Sequence, residues 1–265
     1  MATTARKAKP GRAPLRRTRQ HGEVSLERAL SKLGLASRTQ ARELIAAGRV
    51  TVDGHAITDP GRPVIPERTA IAIDGARKPQ AAVVTVMLHK PRGVVTTRSD
   101  PDGRATVYSL LHDLETRVVP VGRLDLATSG LLLLTSDTQF ANWLSDPANR
   151  IPRVYLVTAR GRVTPEIAAQ LVVGRTIDGE HLSAARADVR KASNRETHLV
   201  VTLIEGKNRE IRRLFDDLGH AVTHLRRIKF GALALGMLGV GQWRQIDEHE
   251  LDEIFPGRPK RRKPL

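Results

Sequence analysis

The chain predicts an α+β fold: a small α/β module of two helices and a hairpin, then a larger domain on a mixed, mostly antiparallel sheet. Three observations carry this. Strand-favouring segments dominate residues 83–246 and are interrupted by scattered short helices, not by strict strand–helix alternation. Leu131 to Leu134 form a short, continuously apolar run, as in a strand covered on both faces. At 265 residues the chain can bury a sizeable core and hold two domains.

The charge balance points to a polyanionic partner. The formal net charge is +16. Residues 1–24 hold seven Arg or Lys against Glu23, and residues 257–265 hold five and no acid. Both segments are rich in Pro, Gly and charge, so both are expected to be disordered basic tails that attract RNA or DNA without reading sequence. With no Cys, disulfides and thiolate metal sites are excluded and a reducing, intracellular location is expected. No apolar run approaches the roughly 20 residues needed to span a bilayer, and no apolar stretch follows the basic N-terminus as in a secretory signal.

Residues 25–75 read as the small module. Ser25 is placed to cap a helix whose apolar positions Leu26, Ala29, Leu30 and Leu33 share one face, and Gly34 ends it. Ser37 opens a second helix, with Gln40 completing a capping box and Ala41, Leu44 and Ile45 as the buried face. Val50–Val52, Asp53-Gly54 and His55–Ile57 predict a hairpin with a favoured two-residue turn. Arg38 and Arg42 lie one turn apart at the exposed start of the second helix, and Arg49 follows at the hairpin. Such arginines near a helix N-terminus suit phosphate; an ordinary solvated face is the alternative.

Residues 76–82 read as a linker, and the second domain spans 83–256. Its first strand, Val83 to His89, is followed by Lys90-Pro-Arg-Gly and a loop around Ser99-Asp-Pro-Asp-Gly. Val118 to Val121 enters the stretch Val-Gly-Arg-Leu-Asp-Leu-Ala-Thr-Ser-Gly, residues 121–130. Gly122 and Gly130 permit unusual backbone geometry there, and Thr128 and Ser129 supply hydroxyls to turn amides. This presents Asp125 on a tight connection at the edge of a buried sheet, either as a turn cap or as a functional carboxylate. Further on come a short helix at Phe140–Leu144, a strand at Val154–Val157 and a helix from Thr164-Pro165 to about Val172. Val189 and His198–Ile204 bracket a hairpin. Ile211, Leu214, Phe215 and Leu218 form a helical stripe closed by Gly219; Arg209 and Arg213 point away from it and Arg212 lies on its flank, either snorkelling to solvent or held against a carboxylate. Strands at Val222–Ile228, Ala232–Leu235 and Trp243–Ile246 and a helix at Glu248–Phe255 complete the domain.

The run from Leu26 to Ile45, with Gly48-Arg-Val-Thr-Val-Asp-Gly, resembles the S-four RNA-binding module, which implies structured RNA as partner, held through phosphates and shape. Gly122-Arg-Leu-Asp-Leu-Ala-Thr-Ser-Gly-Leu-Leu-Leu-Leu-Thr resembles the catalytic motif of ribosomal RNA pseudouridine synthases of the RsuA/RluB type. The resemblance continues through Lys90-Pro-x-Gly, Val154-Tyr155-x-Val, Glu205-Gly-Lys-Asn-Arg-Glu-Ile-Arg-Arg-Leu-Phe and Gly219-His, and covers residues 25–255. It implies isomerisation of a flipped uridine to pseudouridine with no metal or organic cofactor.

By the same resemblance Asp125 is the nucleophile, which attacks either the ring or the ribose, or removes a ribose proton. Tyr155 stacks on the base or moves a proton; a half-buried strand aromatic is its bland reading. Arg212 is the active-site basic residue, and a bidentate arginine would keep Asp125 ionised and aimed. Leu225 lines the pocket, and Arg123, Lys207 and Arg209 join it as substrate-binding residues. Arg153, His89 and Ser136-Asp137-Thr138 depart from common residues of the family. Asn208-Arg-Glu-Ile-Arg-Arg looks more like the large-subunit members, so ribosomal RNA or a pre-ribosomal particle is the expected partner of a monomeric, cytoplasmic enzyme. The alternatives are a small-subunit rRNA pseudouridine synthase, a non-catalytic RNA-binding ribosome-assembly factor, and a hydrolase, which would need a second acid that the motif does not tie to Asp125.

Overall fold

A computed structural model describes residues 23–66, 68–76 and 82–260. The chain falls into two compact units, residues 1–79 and 80–265. In the first, β1 (Val24–Ser25) leads into α1 (Leu26–Lys32) and α2 (Arg38–Ala46); β2 (Val50–Val52), β3 (His55–Ala56), β4 (Pro63–Val64) and β5 (Ile71–Ile73) follow. The capping box at Ser37 and Gln40 is formed. Ser25 takes the N-cap position of α1, but its hydroxyl makes no capping bond, because Leu26 and Glu27 donate to the carbonyls of Arg62 and Pro60 instead. Asp53 and Gly54 both have positive φ, 51° and 84°, the geometry that a two-residue hairpin turn requires. Leu26, Leu30, Ala41, Ile45 and Val50 form a core of their own, with Leu44 packed at its margin.

The second unit opens with β6 (Thr85–Lys90), β7 (Val119–Pro120), β8 (Thr128–Thr135), α3 (Thr138–Ser145), β9 (Arg153–Arg160) and α4 (Pro165–Val173). After these come β10 (Arg175–Ile177), β11 (Glu180–Leu182), β12 (Arg186–Ala192), β13 (Glu196–Leu203), α5 (Glu210–Asp217), β14 (Val222–Phe230), β15 (Leu233–Ala234), β16 (Trp243–Ile246) and α6 (Glu248–Ile254). One sheet runs β12-β13-β9-β14-β8-β6-β16, with β15 on β14 and β7 on β8. Every pairing in it is antiparallel except β14 with β8.

Leu131 to Leu134 are fully buried and serve two layers. Leu132 and Leu134 pack with Val157, Leu171, Leu214 and Phe215 on one face; Leu131 and Leu133 pack with Met87, Phe140, Leu144 and Phe255 on the other. Each such leucine contributes on the order of 2 kcal/mol of burial.

Several expectations are corrected. β8 begins at Thr128, so Thr128 and Ser129 are strand residues, not turn residues; the turn closes one step earlier, where Thr128 N–H donates to Asp125 O at 3.0 Å. Gly130 (φ 107°) lies within the strand, and a Cβ there would stand 2.1 Å from Arg227 O. Its absent side chain serves the close approach of β14. The hairpin β10–β11 went unread, although Asp178-Gly179 is a turn signature. Val24 pairs with Val64, so the N-terminal tail ends earlier than expected; the rest of it lies outside the described residues. At the C-terminus, Arg258 is buried against Asp252 and Glu248, and Lys260 pairs with Asp252. The stretch 257–260 is therefore anchored, not a disordered tail, and 261–265 lie outside the described residues. Of the expected linker 76–82, Ala76 bridges to Ile73; most of the rest also lies outside the described residues.

Candidate active site

The loop before β8 is clamped through its carbonyls. Thr96 Oγ1 donates to Leu124 O at 2.8 Å. Lys90 Nζ donates to Asp125 O (3.1 Å), Thr128 O (2.8 Å) and Pro91 O (3.0 Å). Arg212 Nη2 donates to Ala127 O at 3.3 Å, while its Nη1 donates to Val222 O at 2.8 Å. A loop held this way at four successive contact points leaves the Asp125 side chain free of any capping role. That carboxylate is about one-third exposed.

Asp125 opens onto a cleft of about 420 Å³. Arg123, Tyr155, Leu225, Lys207 and Arg209 line the same cleft, drawn from the β8 loop, β9, β14 and the segment before α5. Six of the seven cleft residues expected from the sequence are therefore brought together. Tyr155 and Arg227 are cross-strand partners, as are Leu225 and Thr128, so one sheet face forms the cleft floor.

Arg212 is the exception. It is buried, does not line the cleft, and does not make the expected bidentate pair. Its guanidinium is committed to two carbonyls, one of them within the Asp125 loop, and burial pushes its pKa down while the charge of Asp125 opposes that shift. The cation within 4 Å of the Asp125 carboxylate, among the described residues, is Arg209, with Nη1 at 3.7 Å from Oδ2. Arg209 is not on the helix but precedes it at φ 49°, in the left-handed region that non-glycine residues rarely adopt. That backbone turn swings its side chain back over the cleft.

In the first unit, Arg38 is exposed, but Arg42 pairs with Glu27 and Arg49 forms a bidentate pair with Asp74, both bonds at 2.7 Å. A solvated face with local ion pairs describes the last two in this state.

Sequence reasoning missed two residues of the cleft, Arg227 and Glu210, and gave no role to Lys90 beneath its loop. Lys90 is fully buried, and burial pushes its ammonium down to about 8; the signal was a lone lysine ending an apolar strand before proline. Arg227 is 3% exposed and lines the cleft; strand alternation from Leu225 would have put it on the inner face. Glu210 is buried on the cleft wall, accepts from Lys207 N–H at 3.2 Å, and has its carboxyl pushed up by burial. Of the departures, Arg153 spans the carbonyls of Ile151, Ile204 and Leu144, His89 contacts Leu238 O at 2.8 Å, and Asp137 caps α3. Arg153 also lines the cleft. Among the described residues no helix is long and apolar enough to cross a membrane.

Residues 84–217 match the RNA pseudouridylate synthase family, and residues 25–67 match the S4 domain. An uncharacterized RNA pseudouridine synthase of Aquifex aeolicus is 35% identical over 88% of this chain and 94% of its own. Ribosomal large subunit pseudouridine synthase B of Bacillus subtilis is 33% identical over 86% and 94%. A crystal structure of a pseudouridylate synthase superposes with a TM-score of 0.59 at 25% identity, covering 87% of this chain and 99% of that one. With its Asp125 cleft at the head of β8, the chain belongs to the RNA pseudouridylate synthase family and carries an S4 domain ahead of the synthase domain.

Proposed function

We propose that this enzyme converts a uridine of large-subunit ribosomal RNA to pseudouridine, with Asp125 as the nucleophile. The observation that carries the reading is the convergence of a carboxylate on a clamped loop with Tyr155, Leu225 and the cationic wall residues Arg123, Lys207 and Arg209 in one cleft. A nucleotide flipped from its stack brings an apolar base face, a ribose and a phosphate. Leu225 and the Tyr155 ring suit the base. Arg123, Lys207 and Arg209 suit the phosphate and the flipped backbone. Asp125 reaches the ribose or the ring, and Arg212, by bracing Ala127 O, holds the loop that aims it.

Relatives named for the large ribosomal subunit support that subunit as target. The S4 domain, with Arg38, Arg42 and Arg49, supports a grip on structured RNA; Arg42 and Arg49 would exchange their acidic partners for phosphate. The enzyme works as a monomer in the cytoplasm, where its substrate is assembled. Pseudouridine mapping of ribosomal RNA from cells with and without the gene tests the assignment. Loss of one large-subunit site supports it; loss of a site in the small-subunit RNA instead overturns the choice of subunit.

A further inference from the structure

Three buried side-chain atoms among the described residues have no hydrogen-bond partner: Thr128 Oγ1, Arg227 Nη2 and Arg212 Nε. The first two belong to residues that line the cleft. Thr128 pairs in register with Leu225, and Arg227 lies two residues beyond Leu225 on the same strand. Strand alternation therefore puts Thr128, Leu225 and Arg227 on one face of the sheet, beside Tyr155, the cross-strand partner of Arg227. Thr128 is 2% exposed and Arg227 3%, so solvent does not supply the missing bonds. A buried hydroxyl or guanidinium N–H left unpaired is destabilising, and a bound partner relieves that cost.

Arg227 is otherwise anchored. Its Nε donates to Leu131 O at 2.7 Å, and its guanidinium lies over the Phe230 ring, 5.1 Å from the centroid. Its Nη2 amino group is the donor left without a partner. A guanidinium donor and a hydroxyl acceptor on one face of the sheet are complementary in kind to the edge of a uracil ring, which alternates carbonyl oxygen, N3–H and carbonyl oxygen. Cytosine offers an amine where uracil has O4, so a guanidinium N–H would face another donor.

We propose that Arg227 and Thr128 read the edge of the flipped base, Arg227 donating to a uracil carbonyl and Thr128 accepting from N3–H, and that this pair sets the preference for uridine over cytidine. The proposal rests on the pseudouridine synthase reading of the cleft. The missing hydrogen bonds are made on binding, so the discrimination belongs to substrate affinity more than to the chemical step.

The test uses the full-length enzyme and unmodified large-subunit ribosomal RNA transcripts made with uridine, 2-thiouridine or 4-thiouridine. Sulfur is a poor acceptor, so for the wild type one of the two thio substitutions lowers kcat/KM by about tenfold, mainly through KM. In Arg227→Lys that thio effect shrinks to within about twofold, because the contact it probes is already gone. Thr128→Val, nearly isosteric, keeps the thio effect but raises KM and narrows the binding preference for a uridine-containing over a cytidine-substituted target. Unchanged thermal melting of both variants excludes a folding defect. A thio effect equally large in wild type and Arg227→Lys, or absent from both with both thio bases, overturns the proposal. A wild-type enzyme that makes no pseudouridine in the uridine transcript marks failure of the functional reading instead.

Discussion

Lys90 shows how a single side chain holds the loop proposed to be catalytic. It is fully buried and spends its three donors on Pro91, Asp125 and Thr128 carbonyls. Replacing it with methionine leaves these carbonyls unpaired, while also removing a costly buried charge. The expected net loss for Lys90→Met is about 1–3 kcal/mol by denaturant unfolding. A greater loss, on the order of 100-fold, is expected in kcat, because a carboxylate misplaced by about 1 Å reacts poorly. The same lysine gives a signed pH dependence. Its folded ammonium titrates near 8 and the unfolded one near 10.5. Between those values the unfolded chain keeps a proton that the folded chain has released, so this group makes stability rise with pH from about 8 to 10.5, by about 3 kcal/mol at most. Unfolding curves across that window should show the rise in wild type and not in Lys90→Met. At this scale the sequence was legible as to which residues meet in the cleft, where a family motif named them, as at Asp125 and Tyr155. It was illegible where partners are distant in sequence. Nothing near Arg212 in the chain reveals that its guanidinium goes to Ala127 O and Val222 O, leaving Arg209 to face Asp125.

Among the elements, the pairing of β8 with β14 decides the cleft, since it sets Leu225 beside Thr128 and Arg227 beside Gly130. Gly130→Ala drives a methyl group into the Arg227 backbone at a φ of 107°. The two strands must separate, and the cost exceeds about 4 kcal/mol. Loss of soluble folded protein, or a collapse of thermal stability, is the expected result; a variant with wild-type melting would mean that the strands do not approach in this way. By contrast Ser37→Ala removes one capping box from α2, at about 1 kcal/mol, and differential scanning calorimetry should show that loss in the S4 unit without a change in the synthase unit. Most elements followed from period and caps. β10–β11 did not, because its short, exposed strands carry no apolar alternation, and the start of β8 was hidden because Thr and Ser favour both turns and strand edges.

For the whole molecule, charge sets the encounter. The net charge of +16 predicts that RNA affinity falls steeply with salt, by a slope that counts phosphate contacts. Arg38 is exposed and outside the ion pairs that hold Arg42 and Arg49, so Arg38→Ala should weaken binding to any structured rRNA fragment and flatten the log–log salt slope by about 0.7–0.9. An unchanged slope would remove Arg38 from the RNA contact. The two-unit α+β architecture was legible from the break in pattern near residues 76–82, whereas the anchoring of Arg258 by α6 was not, since composition alone made that segment resemble a free tail. The central proposal is that Asp125, held by a clamped loop with its carboxylate open to the cleft, performs the isomerisation. Its most direct measurement is pseudouridine formation in large-subunit rRNA by Asp125→Asn. The account predicts wild-type melting temperature, retained RNA binding and no detectable product; pseudouridine at the wild-type level from that variant would contradict it.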